Sequence, residues 1–167
     1  MSSILGDSVA WISPNNWHST VFNPVHSSDP EVIRTYDLDV RDRFALACQL
    51  ASPYRLDFRR ILLTPNAGLK VAAYPCSDEL DTIRRRLNES IPAGRISSMV
   101  HISLGNIVKQ PSSHQEEDLI AYLDDFSSDI HALGEIDIPF LTLAEYHAPF
   151  ISMCLKEHER FYLQGRR

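Results

Sequence analysis

The sequence predicts an α+β fold, because segments with the periodicity of helices and segments with the alternation of strands occupy separate parts of the chain. Several stretches carry apolar residues at spacings of three and four, which is typical of helices that bury one face. Two β-like runs flank a turn rich in proline and glycine, which indicates an antiparallel hairpin. With 167 residues and 44% hydrophobic residues, the chain is long enough to bury a core, so we expect a single domain over residues 1–167.

The first third of the chain predicts a strand and then a long helix. Residues 17–22 are rich in aromatic and β-branched types, so we expect a strand with His18, Thr20 and Phe22 on one face. Asp29-Pro30-Glu31 has the pattern of an N-cap, a proline in the first turn and an acidic start. The apolar residues that follow predict a helix that reaches about Ala51.

The middle of the chain predicts a hairpin and a second helix. Residues 56–64 and 69–74 form the strands of the hairpin around the turn of residues 65–68. Ser77-Asp78-Glu79 opens the helix, and we expect its last turn to hold Arg84, Arg85 and Arg86. Cations in that position complement the helix dipole, and we favour this role over a phosphate clamp.

The last part of the chain predicts a strand, a third helix and several short strands. Residues 99–108 alternate so that Val100 and Ile102 point one way, while His101 and Ser103 point the other. A capping-box pattern at residues 113–116 opens a helix whose apolar positions run from Leu119 to Leu133. Residues 136–143, 153–155 and 161–163 have the composition of short strands.

Composition and charge exclude several classes of protein. The net charge of −6 argues against extended nucleic-acid binding, because that requires a surplus of lysine and arginine. The N-terminus lacks a signal-peptide pattern and no apolar stretch is long enough to span a bilayer, so we expect a cytoplasmic protein. The cysteines, Cys48, Cys76 and Cys154, form no Cys-x-x-Cys pair, and we expect buried thiols rather than a metal or redox centre.

Two segments carry a histidine followed two residues later by a hydroxyl residue. These are His18-Ser19-Thr20-Val21 and His101-Ile102-Ser103-Leu104. A third match, His26-Ser27-Ser28, lies in a loop-like segment, and we treat it as a chance match because short patterns recur at random. In a strand, residues i and i+2 lie about 6 to 7 Å apart on one face, so an imidazole and a hydroxyl can contact one small anion together.

Two such strands side by side would supply what phosphodiester hydrolysis without a metal requires. A neutral imidazole can take a proton from the attacking water, while an imidazolium gives a proton to the leaving oxygen. The hydroxyls can donate hydrogen bonds to the non-bridging oxygens.

With these two motifs the sequence resembles the two-histidine (2H) phosphoesterase superfamily, in particular a branch whose first motif ends in Val-Phe, as Val21-Phe22 does here. The resemblance implies a bilobal fold of two pseudo-symmetric halves, whose antiparallel sheets line a central cleft with the helices outside. It makes His18 and His101 the acid–base pair and Thr20 and Ser103 the donors to phosphate oxygens. It implies no cofactor and no metal.

Two departures from the family pattern bear on these expectations. Only 17 residues precede His18, so we expect the strand and helix that usually come first to be short or missing. Gly105-Asn106 stands where relatives that process RNA ends often carry a basic residue, which weakens the case for RNA specifically.

The resulting hypothesis is a metal-independent hydrolase of a cyclic phosphate or related phosphodiester of a nucleotide or RNA end. Its substrate would be a small phosphodiester or cyclic nucleotide, and the sequence leaves the oligomeric state open. The alternatives are a non-catalytic nucleotide-binding or regulatory domain and an interaction domain with a vestigial cleft, because one fold serves many functions.

Overall fold

Three helices and nine strands make up the computed structural model, which describes residues 6–23, 30–91, 95–97, 99–132, 134–147 and 154–165. The strands are β1 (Val9–Trp11), β2 (Phe22–Asn23), β3 (Tyr54–Leu63), β4 (Gly68–Pro75), β5 (Arg95–Ile96), β6 (Val100–Ile107), β7 (Glu135–Ile138), β8 (Phe140–His147) and β9 (Cys154–Tyr162). The helices are α1 (Pro30–Gln49), α2 (Glu79–Ser90) and α3 (Ser113–Ala132). The predicted mixed α+β class is confirmed.

The described strands form three antiparallel sheets. The largest has the order β1-β6-β4-β3-β7, while β2 pairs with β5 and β8 pairs with β9. The hairpin predicted around residues 65–68 is confirmed, because β3 and β4 pair antiparallel from Leu56–Pro75 to Leu63–Leu69. The second histidine motif lies in the large sheet, because His101 belongs to β6, whereas His18 lies outside any sheet in the segment before β2.

The helices bury apolar faces that their spacing predicts. The helix α3 packs on β3 of the large sheet and buries Leu119 and Ile130. The helices α1 and α2 pack against each other, and α1 also contacts β9. Within the described residues, none of the helices combines the length and the apolar character that crossing a bilayer requires.

The strand predicted for residues 17–22 is wrong in extent. Residues 17–20 have no strand pairing, which begins only at Phe22, opposite Ile96 of β5. Aromatic and β-branched residues favour a strand, but a strand also needs a hydrogen-bonded neighbour. The short turn Pro14–Asn16 directly before this segment is a 3-10 helix.

The element ahead of the first motif is present as a strand. Val9–Trp11 forms β1, which pairs with Gly105 to Ile107 at the edge of the large sheet. From Gly6 to Asn16, the structure otherwise shows only two 3-10 turns, Gly6–Ser8 and Pro14–Asn16. Within the described residues 6–16 the strand is short, with three residues, and no α-helix is present, in agreement with the expectation.

Three further predictions need correction. Arg84, Arg85 and Arg86 lie in the middle of α2, which continues to Ser90, so they are not cations of the last turn. The capping box of α3 uses Ser112 and Gln115, one residue earlier than predicted. Residues 154–162 form one strand rather than two short ones. The prediction missed this because the charged residues in the middle of the strand hide the alternation of apolar and polar residues.

Candidate active site

His18 is held by the turn that precedes it. Its Nδ1 lies 2.8 Å from the backbone oxygen of Asn16, which is the last residue of the 3-10 turn. A carbonyl oxygen can only accept a hydrogen bond, so Nδ1 is the nitrogen that carries hydrogen in this contact. The bond fixes the orientation of the imidazole and directs Nε2 away from the backbone.

His101 repeats this arrangement in β6. Its Nδ1 lies 3.2 Å from the backbone oxygen of Met99, again the residue two positions earlier. Its Nε2 lies 3.2 Å from Nζ of Lys70 on the neighbouring strand β4. Because a lysine ammonium can only donate, Nε2 accepts this hydrogen bond, and the contact fits a neutral imidazole protonated at Nδ1.

The surroundings of His101 favour its neutral form. Burial lowers the pKa of His101 and the positive charge of Lys70 lowers it further, whereas the hydrogen bond to Met99 raises it. A smaller lowering of this pKa comes from His18.

The predicted hydroxyl residues accompany the histidines. Ser103 is half-buried in β6 and faces Lys70 in the register of β4 and β6. Thr20 is half-buried in the segment after His18. The four predicted site residues, His18, Thr20, His101 and Ser103, lie on two segments that both contribute residues to one cavity.

A cavity of about 370 Å³ lies beside the first motif and is lined by His18 and Thr20. On the side of the second motif, the cavity is lined by Val100 and Ile102. These residues alternate along β6 with His101 and Ser103. His101 and Ser103 do not line this cavity. The structure therefore brings the motifs near each other but does not collect all four side chains around this one cavity.

Two basic residues of this region were not assigned to the site from the sequence. Lys70 interrupts the apolar pattern of β4, and only the strand register shows that it reaches Ser103 and His101. Arg84 lies on the same face of α2 as Leu80 and Leu87, and this spacing predicts its burial. Arg84 also lines the cavity beside the first motif.

The described residues contain no group of three or more histidine, cysteine, aspartate or glutamate side chains arranged to hold a metal ion. The prediction of buried thiols holds for Cys48 and is wrong for Cys76, which is exposed. The side chain of Cys154 and the loop match at His26 lie outside what the structure describes.

Comparison with known proteins gives a match at the level of the fold. No protein-family model matches the chain, and no curated protein matches it. The crystal structure of TT0787 of Thermus thermophilus superimposes with a TM-score of 0.66 at 12% sequence identity. The match covers 99% of this chain and 89% of that chain, so the two proteins share an overall fold.

Proposed function

We propose that the protein is a metal-independent phosphoesterase that hydrolyses a cyclic phosphate or a related phosphodiester of a nucleotide or RNA end. The observation that carries the proposal is the matched environment of the two histidines. In each motif Nδ1 donates to the backbone oxygen two residues earlier, at 2.8 Å for His18 and 3.2 Å for His101. Such a bond fixes the tautomer that a catalytic imidazole needs.

The lowered pKa of His101 supports its role as the general base. In the proposed reaction, Nε2 of His101 takes a proton from water, and the water oxygen forms a bond to phosphorus. The bond between phosphorus and the leaving oxygen breaks, and His18 donates a proton to that oxygen. One water is consumed, and the products are a phosphate monoester and a hydroxyl group.

Thr20, Ser103 and Lys70 would stabilise the charge that develops on the phosphate oxygens. Thr20 and Ser103 would donate hydrogen bonds to the non-bridging oxygens. Lys70 faces Ser103 across the strand pair, so its ammonium would leave Nε2 of His101 and approach a phosphate oxygen when substrate binds. The bilobal arrangement belongs to this proposal, with the site between the five-stranded sheet and the β2-β5 and β8-β9 sheets.

Phosphorus NMR with 2′,3′-cyclic AMP in the presence of a chelator tests the proposal. We expect conversion to a single monophosphate isomer, and we expect His18→Ala and His101→Ala each to remove it. His114→Ala is the matched control, because His114 is an exposed residue of α3. Conversion that survives both substitutions in a folded protein would exclude the proposed mechanism.

A second candidate function is nucleotide binding without turnover. The observation that favours it is the contact of Lys70 with Nε2 of His101, because a base engaged by an ammonium cannot take a proton until that contact opens. Binding of 2′,3′-cyclic AMP in calorimetry, together with no product in the NMR experiment, would support this function instead.

A further inference from the structure

Arg84 is a buried cation that its protein partners satisfy only in part. Its exposed fraction is 7%. Its Nε donates to the backbone oxygen of Val21 at 3.4 Å, and its Nη1 contacts Oδ1 of Asp81 at 3.4 Å. Among the described residues, Nη2 has no hydrogen-bond partner. A buried guanidinium normally fills its donors, because each unsatisfied polar group costs free energy.

The negative charge near Arg84 is weak. The carboxylate of Asp81 is 77% exposed, so solvent screens much of its attraction. The hydroxyl of Tyr54 provides no compensating charge at neutral pH, since burial raises its pKa to about 12 although the charge of Arg84 lowers it. Glu157 also lines the cavity, but its Oε2 is paired with Arg160 at 2.7 Å.

Ser19 is a second unsatisfied donor on the same cavity. Its Oγ is buried without a hydrogen-bond partner in the described part of the chain. Ser19 and Arg84 both line the cavity of about 370 Å³ beside the first motif. Val21, whose backbone oxygen binds Arg84, belongs to the same short segment.

We propose that Arg84 and Ser19 form a phosphate-binding subsite in this cavity, for a phosphate group that is free in solution or terminal on a nucleotide. The unpartnered Nη2 of the guanidinium can donate a charge-assisted hydrogen bond to one phosphate oxygen, and the hydroxyl of Ser19 can donate to a second. The remaining walls include Phe44, Phe58 and Phe140, which can pack on a planar ring attached to the phosphate. His18 and Thr20 line the same cavity, but phosphate binding requires no bond cleavage and can be measured independently of the proposed hydrolysis.

Calorimetry with the full-length protein tests the subsite with inorganic phosphate, AMP and adenosine at constant ionic strength. We expect phosphate and AMP to bind and Arg84→Gln to weaken both by about tenfold or more, because a charge-assisted hydrogen bond is lost. Ser19→Ala should weaken them less. Arg85→Gln is the matched control, since Arg85 is the exposed neighbour on the same helix and its loss changes the net charge equally.

The comparison of phosphate with AMP and two further variants, His101→Ala and Arg84→Lys, separate the outcomes. Tighter binding of AMP than of phosphate would identify a nucleotide as the source, whereas equal binding would identify free phosphate. His101→Ala removes the proposed general base but leaves Arg84 and Ser19 in place, so it should retain phosphate binding. The subsite and the proposed hydrolysis are thereby tested separately. If Arg84→Gln fails to fold, Arg84→Lys keeps the charge without the planar donors and should bind phosphate more weakly than the native protein. No binding of either ligand, or equal binding by native and Arg84-substituted protein, would overturn the subsite.

Discussion

Burial and the positive charge of Lys70 together favour the neutral form of His101. Its Nζ lies 3.2 Å from Nε2 of His101, and the pKa of His101 is lowered first by burial and then by this positive charge. A lowered pKa means that the imidazole stays neutral further into the acidic range, where an ordinary histidine is already protonated.

Replacing Lys70 with methionine should raise the pKa of His101. The substitution removes the positive charge but keeps a long apolar stem, so the protonated imidazole is no longer disfavoured by its neighbour. An NMR titration of the imidazole protons measures this shift. If the protein is a hydrolase, the acidic limb of its pH–rate profile should move to higher pH as well.

Lys109→Met is the control for this titration, because Lys109 is an exposed lysine that pairs with Asp7. Lys109→Met removes one positive charge, as Lys70→Met does, and it should leave the pKa of His101 unchanged. A His101 titration that is identical in the native and Lys70→Met proteins would show that burial alone sets this pKa.

The candidate histidines could be found from the sequence, whereas their basic neighbours could not. His18 with Thr20 and His101 with Ser103 share a local spacing of two residues, which is visible in the sequence. Lys70 reaches His101 only through the pairing of β4 with β6, and that register is a long-range property. From the sequence we predicted Arg84 in the last turn of α2. The sequence indicates where α2 begins, but it does not indicate that the helix continues to Ser90.

Ser112 determines how α3 begins. The backbone N–H of Ser112 donates to Oε1 of Gln115 at 3.0 Å, and the N–H of Gln115 donates to Oγ of Ser112 at 3.3 Å. This reciprocal pair satisfies donors that a helix start otherwise leaves open. The sequence contains two adjacent serines, and only the geometry identifies which one caps the helix.

Ser112→Ala should therefore destabilise the protein by about 1 kcal/mol, the usual effect of removing an N-cap side chain. Ser113→Ala should change the free energy of unfolding by less than about 0.5 kcal/mol, as is usual for a surface substitution. Urea denaturation of both variants measures the difference. The reverse order of stability would restore the capping assignment made from the sequence.

Gly105 is required where β6 meets the edge strand β1. A Cβ atom at this position would lie 2.6 Å from the backbone oxygen of Ala10 and 3.2 Å from the Cα of Trp11. These are backbone atoms of a paired strand, so the clash cannot be relieved by rotating a side chain.

Gly105→Ala should destabilise the protein by about 1 to 3 kcal/mol, the typical cost of adding a methyl group to a packed site. Thermal denaturation should show a lower Tm, and hydrogen exchange should show reduced protection of β1. Ser103→Ala is the control, because it adds no atom to the same strand. An unchanged Tm would mean that β1 does not pack against Gly105 in solution.

The prediction of elements succeeded where the signals were local. The helices α1, α2 and α3 and the β3–β4 hairpin follow from periodicity, caps and turn residues that lie within each segment. The strands β2 and β5 are two residues each and depend on their mutual pairing. The strand β9 makes contacts such as the ion pair of Glu159 with Arg41, whose partners lie far apart in the chain.

One cluster of buried side chains connects the helices with the large sheet. It includes Phe44 and Cys48 of α1, Leu80 and Leu87 of α2, and Val100 of β6. Because these residues come from elements far apart in sequence, a side chain in this cluster becomes accessible only when much of the packing opens.

Cys48 reports on the opening of this cluster, because its side chain is fully buried. Burial raises the pKa of the Cys48 thiol to about 12, so at about pH 8 only about one molecule in ten thousand carries the reactive thiolate. In the unfolded chain the thiol is exposed and its pKa returns to about 8.5. Reaction with a thiol reagent therefore requires unfolding.

A variant with Cys76→Ser and Cys154→Ser retains Cys48 as its single thiol and should react slowly with a chromogenic disulfide in native buffer. Urea should accelerate the reaction in proportion to the unfolded fraction measured by circular dichroism, since opening and global unfolding are then the same event. The matched variant with Cys48→Ser and Cys154→Ser retains the exposed Cys76 and should react rapidly without urea. Rapid reaction of Cys48 under native conditions would show that α1 separates from the cluster while the rest of the molecule stays folded.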